Sequence, residues 1–190
     1  MSKITWNGGT LTAPLPPVLV SCGNGEVSNI ITIAWTGILN TIPPKTYISV
    51  RPGRYSYPII KESGEFAINL APESLVKTVD YCGIFTGAKV NKWEKCGLHK
   101  GTAAKIACPI IEECPISLEC KVCDIISFGT HDMIIADIVA TDVDEKLLDK
   151  NGKLCIERAK LLAYAHGEYY SIGEKLGKFG FSANKPKRKI

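Results

Sequence analysis

The chain has 190 residues, 45% of them hydrophobic and 22% charged, and its mean hydropathy is +0.06. Those figures fit one globular domain, taken as residues 1–182, and exclude a wholly disordered chain. The longest uninterrupted apolar runs are four or five residues, far short of the roughly 20 that cross a bilayer as a helix, so no membrane partner is expected.

The net charge is +4, but residues 173–190 hold six lysines and arginines against one acid, Glu174, which leaves the rest of the chain at −1. The basic tail over residues 183–190 reads as a solvated terminus. A surface that tracks phosphates spreads its cations over the fold, so no nucleic-acid partner is expected. Met1–Gly9 lacks the apolar core of a signal peptide, which points to a cytoplasmic protein.

Eight cysteines stand at 22, 82, 96, 108, 114, 120, 123 and 155. Without a secretion signal they read as reduced thiols rather than a disulfide framework. Only Cys120 and Cys123 have metal-like spacing, and they fall in an alternating, strand-like stretch. Positions three apart on a strand point to opposite faces, so no metal site is expected.

Pro17–Cys22 reads as a first strand, closed by the turn chemistry of Gly23-Asn24-Gly25-Glu26. Ser28–Gly37 reads as a second. Its bulky Ile31, Ile33 and Trp35 share one face, while Thr32, Ala34 and Thr36 make a small, hydroxyl-bearing wall for a flat ring. Thr46–Arg51 is a third strand, and Ser56 is an N-cap candidate for a short helix that ends at Gly64. Glu65–Leu70 follows as a strand, then a helix from Pro72 to about Tyr81 and a long loop through Thr86–Trp93. Residues 116–126 and 132–143 form two long strands joined across Ser127–His131. A short helical stretch at Glu157–Leu162 and a last strand at Tyr164–Ser171 complete the chain. Many sequential strands with few helices predict an antiparallel β-barrel or sandwich, mainly β with covering helices.

Common nucleotide signatures are missing. Gly23-Asn24-Gly25 lacks the third glycine of a dinucleotide fingerprint, and no glycine-rich loop ends in Gly-Lys-Ser/Thr. Arg51-Pro52-Gly53-Arg54-Tyr55-Ser56 offers another device, two guanidiniums and a hydroxyl where a helix begins. Free amides and the positive helix end favour an anion there, and arginine grips phosphate bidentately.

These two segments carry a resemblance. Asn29–Gly37, Pro43-Pro44 and Ile48–Ser56, with Gly64–Asn69, Asp80–Gly83, Gly129–Asp132 and His166–Tyr170, resemble the flavoredoxin-like branch of the flavin reductase-like family. The resemblance implies an FMN-binding split β-barrel, usually a homodimer with the flavin near the subunit interface. It implies that Asn29, Thr32, Ala34, Trp35 and Thr36 line the isoalloxazine, and that Ser49, Arg51, Arg54 and Ser56 hold the phosphate. Lys92 matches a loop residue that approaches the cofactor, although Asn91 and Trp93 replace the acid and the Phe that usually flank it. His131 matches a histidine on the nicotinamide or acceptor side.

The expected function is therefore an FMN-dependent oxidoreductase taking electrons from NADH, NADPH or a protein donor. Free flavin, ferric iron or a redox protein partner would accept them. Two alternatives stand beside it. One is a flavoredoxin-type carrier that does not use NAD(P)H; the other is a ligand-binding β-barrel without turnover.

Overall fold

The computed structural model describes residues 1–25 and 27–183, so most of the basic tail lies outside the described residues. In chain order come β1 (Val18–Cys22), β2 (Asn29–Ile33), β3 (Thr36–Thr41), β4 (Pro44–Val50), α1 (Ser56–Ser63) and β5 (Glu65–Leu70). Next are α2 (Val76–Ile84), α3 (Lys92–Cys96), β6 (Lys100–Gly101) and β7 (Ile110–Ile111). The long β8 (Ile116–Ser127) and β9 (Asp132–Val143) precede the small hairpin of β10 (Leu162–Ala165) and β11 (Glu168–Ser171).

Seven strands pair in the order β2-β1-β5-β8-β9-β4-β3, and all the pairs are antiparallel. β2 and β3 lie on opposite edges, yet only Ala34 and Trp35 separate them in the chain. Three Cα steps reach about 11 Å at most. The edges of a flat sheet of this many strands stand roughly 28 Å apart. The sheet must therefore roll until its edges meet at Ala34–Trp35, which makes a barrel closed by a covalent seam. Ser49 N–H donates to the Trp35 carbonyl at 2.8 Å, which carries the β3–β4 ladder up to that seam.

Alternating residues fill the barrel. Val18, Val20, Ile31, Ile33, Ile48, Val50, Phe66, Ile68 and Ile134 form one buried cluster, the period of two that strands impose. The opposite faces of β1 and β2 are covered as well: Leu19 and Ile30 pack with Val79 and Cys82 of α2 and Trp93 of α3. β1 is consequently buried along its whole length.

Several expectations need correction. The single strand expected over Ser28–Gly37 is broken at the seam, and its second half instead pairs with β4 in a hairpin turning at Ile42-Pro43. Ser56 does not cap α1. Tyr55 holds that position, and Ser56 is the first helical residue, fully buried. The helix expected from Pro72 opens as a 3-10 turn (Glu73–Leu75) before α2. The Thr86–Trp93 loop ends in α3, whose first turn is capped by the Asn91 side chain accepting from Trp93 N–H. The last strand is two strands, because His166 and Gly167 both take positive φ (50° and 89°) and turn the chain back. On β8, Cys120 is buried and Cys123 exposed beside Lys45, with a register shift between Val122 and Asp124.

Candidate functional site

At the seam the barrel opens into a cleft of about 350 Å³. It is lined by Thr32, Ala34 and Trp35, by Ser49, Arg51 and Arg54 after the other edge, and by His131 from the β8–β9 turn. A narrower pocket of about 110 Å³ adjoins it, sharing Ile31 and Arg54. Asn29, Ser56, Lys92 and Gly87 line this second space.

Several hydrogen-bond donors line the narrow pocket. Asn29 is buried, and one of its amide hydrogens goes to Ser56 Oγ at 2.8 Å, which leaves its second amide hydrogen able to donate. Lys92 is 3% exposed. Its ammonium donates to the carbonyls of Ile30 (2.7 Å) and Cys82 (2.8 Å), and among the described residues no carboxylate pairs with it. Burial holds this lysine below its usual range. Arg54 is exposed at the junction and has no ion-pair partner among the described residues. A buried cation with only neutral partners, beside a second cation and two neutral donors, fits a phosphate group.

Gly87 makes that pocket possible. A Cβ there would lie 2.3 Å from Asn29 Oδ1, so only glycine lets the loop close over the asparagine.

The edge strand β2 presents its backbone, not its small face. It pairs only with β1, so alternate backbone groups point away from the ladder. Ile30's carbonyl is one of these and takes Lys92; Thr32, two residues on, has the same phase. The Thr32 hydroxyl is spent on the Val79 carbonyl of α2 at 2.5 Å. Thr36 does not line the cleft. It is buried, with its hydroxyl donated to the Tyr47 carbonyl at 2.6 Å. Neither hydroxyl proton is left to donate into the cleft, so the groups this edge offers there are backbone ones. Trp35, 40% exposed, forms the open rim.

His131 stands at the start of β9, half-buried at the cleft's mouth. The next residue, Asp132, accepts from the Tyr57 hydroxyl at 2.5 Å, which ties α1 to this end of the hairpin. That bond holds the Asp132 carboxyl below the usual carboxylate range.

Two lining residues were given no role by sequence reasoning. Tyr164 and Tyr169, cross-strand partners on β10 and β11, meet edge to face at 5.5 Å and wall the far side of the cleft. Tyr169 donates to Asp80 at 3.2 Å, and burial together with that carboxylate pushes its phenol up to about 12. Both ends of this bond fall in stretches of the resemblance, Asp80–Gly83 and His166–Tyr170, which was the available signal.

The fold and site define a class: a rolled antiparallel barrel with a cleft at its seam and a narrow pocket holding a buried lysine beside it. The family model for the flavin reductase like domain matches residues 11–173, and the chain belongs to that family. Flavoredoxin of Desulfovibrio vulgaris (Miyazaki F) superposes with a TM-score of 0.89 at 32% identity, over 97% of this chain and 100% of that one. Flavoredoxin from Methanosarcina acetivorans gives 0.87 at 28% identity, over 97% and 100%. The NADPH-flavin oxidoreductase of Streptomyces viridifaciens is 24% identical over 134 residues, 70% of this chain and 68% of that protein. No helix among the described residues is long and apolar enough to cross a membrane.

Proposed function

We propose that the chain is an FMN-dependent oxidoreductase that passes electrons from NADH, NADPH or a protein donor to flavin, ferric iron or a partner protein. The observation that carries this reading is the buried ammonium of Lys92, which has only carbonyl partners among the described residues, in a narrow pocket joined to a wider cleft through Arg54. Asn29, Arg54, Ser56 and Lys92 would hold the phosphate. The β2 edge, Ala34 and Trp35 would lie along the ring, with Ser49 and Arg51 across the seam. FMN, when bound, supplies the electron and hydride chemistry itself. The protein's task is then to orient the ring against the edge amides, to exclude water with Tyr164 and Tyr169, and to admit a donor past His131. Family members named flavoredoxin, at the identities given above, support a second reading, a carrier served by a protein donor rather than by a nicotinamide. Two copies are part of either reading, supported by the exposed Ile38, Leu39 and Ile42 of the β3–β4 hairpin.

His131→Ala separates donor binding from flavin binding. The imidazole lines the wide cleft and not the narrow pocket, so FMN affinity should change less than about twofold. Reduction of the flavin by its donor should slow by roughly tenfold, the loss of one hydrogen bond to the incoming group. Stopped-flow mixing with NADH and with NADPH, beside an FMN titration, reads both numbers. Unchanged kinetics with each nicotinamide in the unmodified and altered chains would instead favour the carrier.

Gly87→Ala tests the pocket's construction. The added methyl must displace Asn29 from Ser56, so FMN should bind about tenfold more weakly, with riboflavin affected far less. Fluorescence-quenching titration with the two flavins checks it.

A further inference from the structure

One pair of thiols stands apart from the other cysteines. Cys82 on α2 and Cys96 on α3 bring their sulfurs to 4.0 Å, the one such approach among the described residues. The segment between them is the outer wall of the narrow pocket. Phe85, Thr86, Gly87 and Lys92 all lie within it, and Cys82 itself lines the pocket. α3 is a single turn of five residues followed by Gly97 in the left-handed region (φ 63°). Cys82 has no exposure and Cys96 is partly exposed, so a small reagent meets Cys96 first and only Cys96 can pass the reaction on to Cys82.

We propose that Cys82 and Cys96 form a reversible disulfide that clamps the pocket wall and slows the exit of bound flavin. The effect on flavin rests on the FMN reading above; the bond itself does not. The oxidant is a low-molecular-weight disulfide of the glutathione class. The Cys96 thiolate attacks one sulfur of that disulfide and expels one small thiolate. The Cys82 sulfur then attacks the Cys96 sulfur of the mixed disulfide, its proton passes to water, and the second small thiolate leaves. Two protein thiols are oxidised and one small disulfide is reduced to two thiols. Burial keeps the Cys82 thiol above its usual range, so the second step is the slow one. Closing from 4.0 Å to the bonded separation of about 2.05 Å draws the ends of the wall together. Lys92 already donates to the Cys82 carbonyl at 2.8 Å, so the bond strengthens an arrangement that exists without it.

The test uses the full chain loaded with FMN and incubated with oxidised glutathione, then mapped without reduction. The expected product is a peptide linking Cys82 to Cys96, two hydrogens lighter than the dithiol and restored by dithiothreitol. FMN release after dilution, followed by fluorescence, should be slower by roughly threefold or more in the oxidised protein, because the cross-link restricts local opening of the wall. Cys96→Ser, a change at the partly exposed partner, should show one release rate with and without the oxidant. Glutathione retained on Cys96 with no linked peptide would overturn the proposal, as would a linked peptide with unchanged release. A linked peptide in a chain that takes up no flavin would uphold the bond and sink the flavin reading instead.

Discussion

Lys92→Met should weaken FMN binding by roughly 100-fold, near the top of the range for hydrogen bonds to charged groups, about 1.5–3 kcal/mol. The size follows from where the ammonium sits. It is almost wholly screened from water, its two protein partners are neutral carbonyls, and burial already disfavours its charge. A phosphate entering the pocket meets a cation that gains more from an anion than a solvated lysine would. Methionine keeps the length and apolar bulk of the stem, so the loss is of charge rather than packing. Riboflavin, which has no phosphate, should lose much less. The melting temperature of the flavin-free variant should stay within a few degrees of the parent's: two carbonyls lose their donor, but the cost of burying a charge disappears too. A Lys92→Met chain that binds FMN as tightly as the parent would remove the pocket from the account.

The second large effect distinguishes two arginines that look equivalent in the sequence. Arg54 lines both the cleft and the narrow pocket, whereas Arg51 lines only the cleft. Arg54→Ala should therefore weaken FMN by about tenfold, a charge-assisted contact discounted for its exposure to solvent. It should also reduce the preference for FMN over riboflavin by a similar factor, leaving the share that Lys92 supplies. Arg51→Ala should do less on both counts. Paired titrations with FMN and riboflavin settle the order, and a larger effect at Arg51 would mean that the phosphate lies in the wider space instead.

Much of the barrel could be read from runs of β-type residues between turn signals. β1, β5, β8 and β9 sit close to where those runs put them; a period of two is plain in β9, whereas β1 and the middle of β5 are buried on both faces. The seam was invisible to that reading. Asn29–Ile33 and Thr36–Thr41 continue a single β-type pattern, and only the pairing of the whole sheet decides that Ala34–Trp35 crosses between its edges. The wall of small hydroxyl residues failed for a related reason. α2, more than forty residues on in the chain, covers that face, and its Val79 carbonyl claims the Thr32 hydroxyl. Arg54, Ser56 and Lys92 were legible as site candidates, but their assembly depends on Gly87 and Asn29, a loop–strand contact with no local signature. Tyr164 and Tyr169 reach the cleft only because the final hairpin folds back at His166-Gly167.

The central claim is that the narrow pocket holds the phosphate of a flavin mononucleotide. Titrating the purified, flavin-free chain with FMN and with riboflavin, and following flavin fluorescence, tests it most directly. The account predicts one FMN per chain, bound at least about tenfold more tightly than riboflavin, the worth of a single charge-assisted contact. Equal affinities for the two flavins, or no quenching by either, would contradict it.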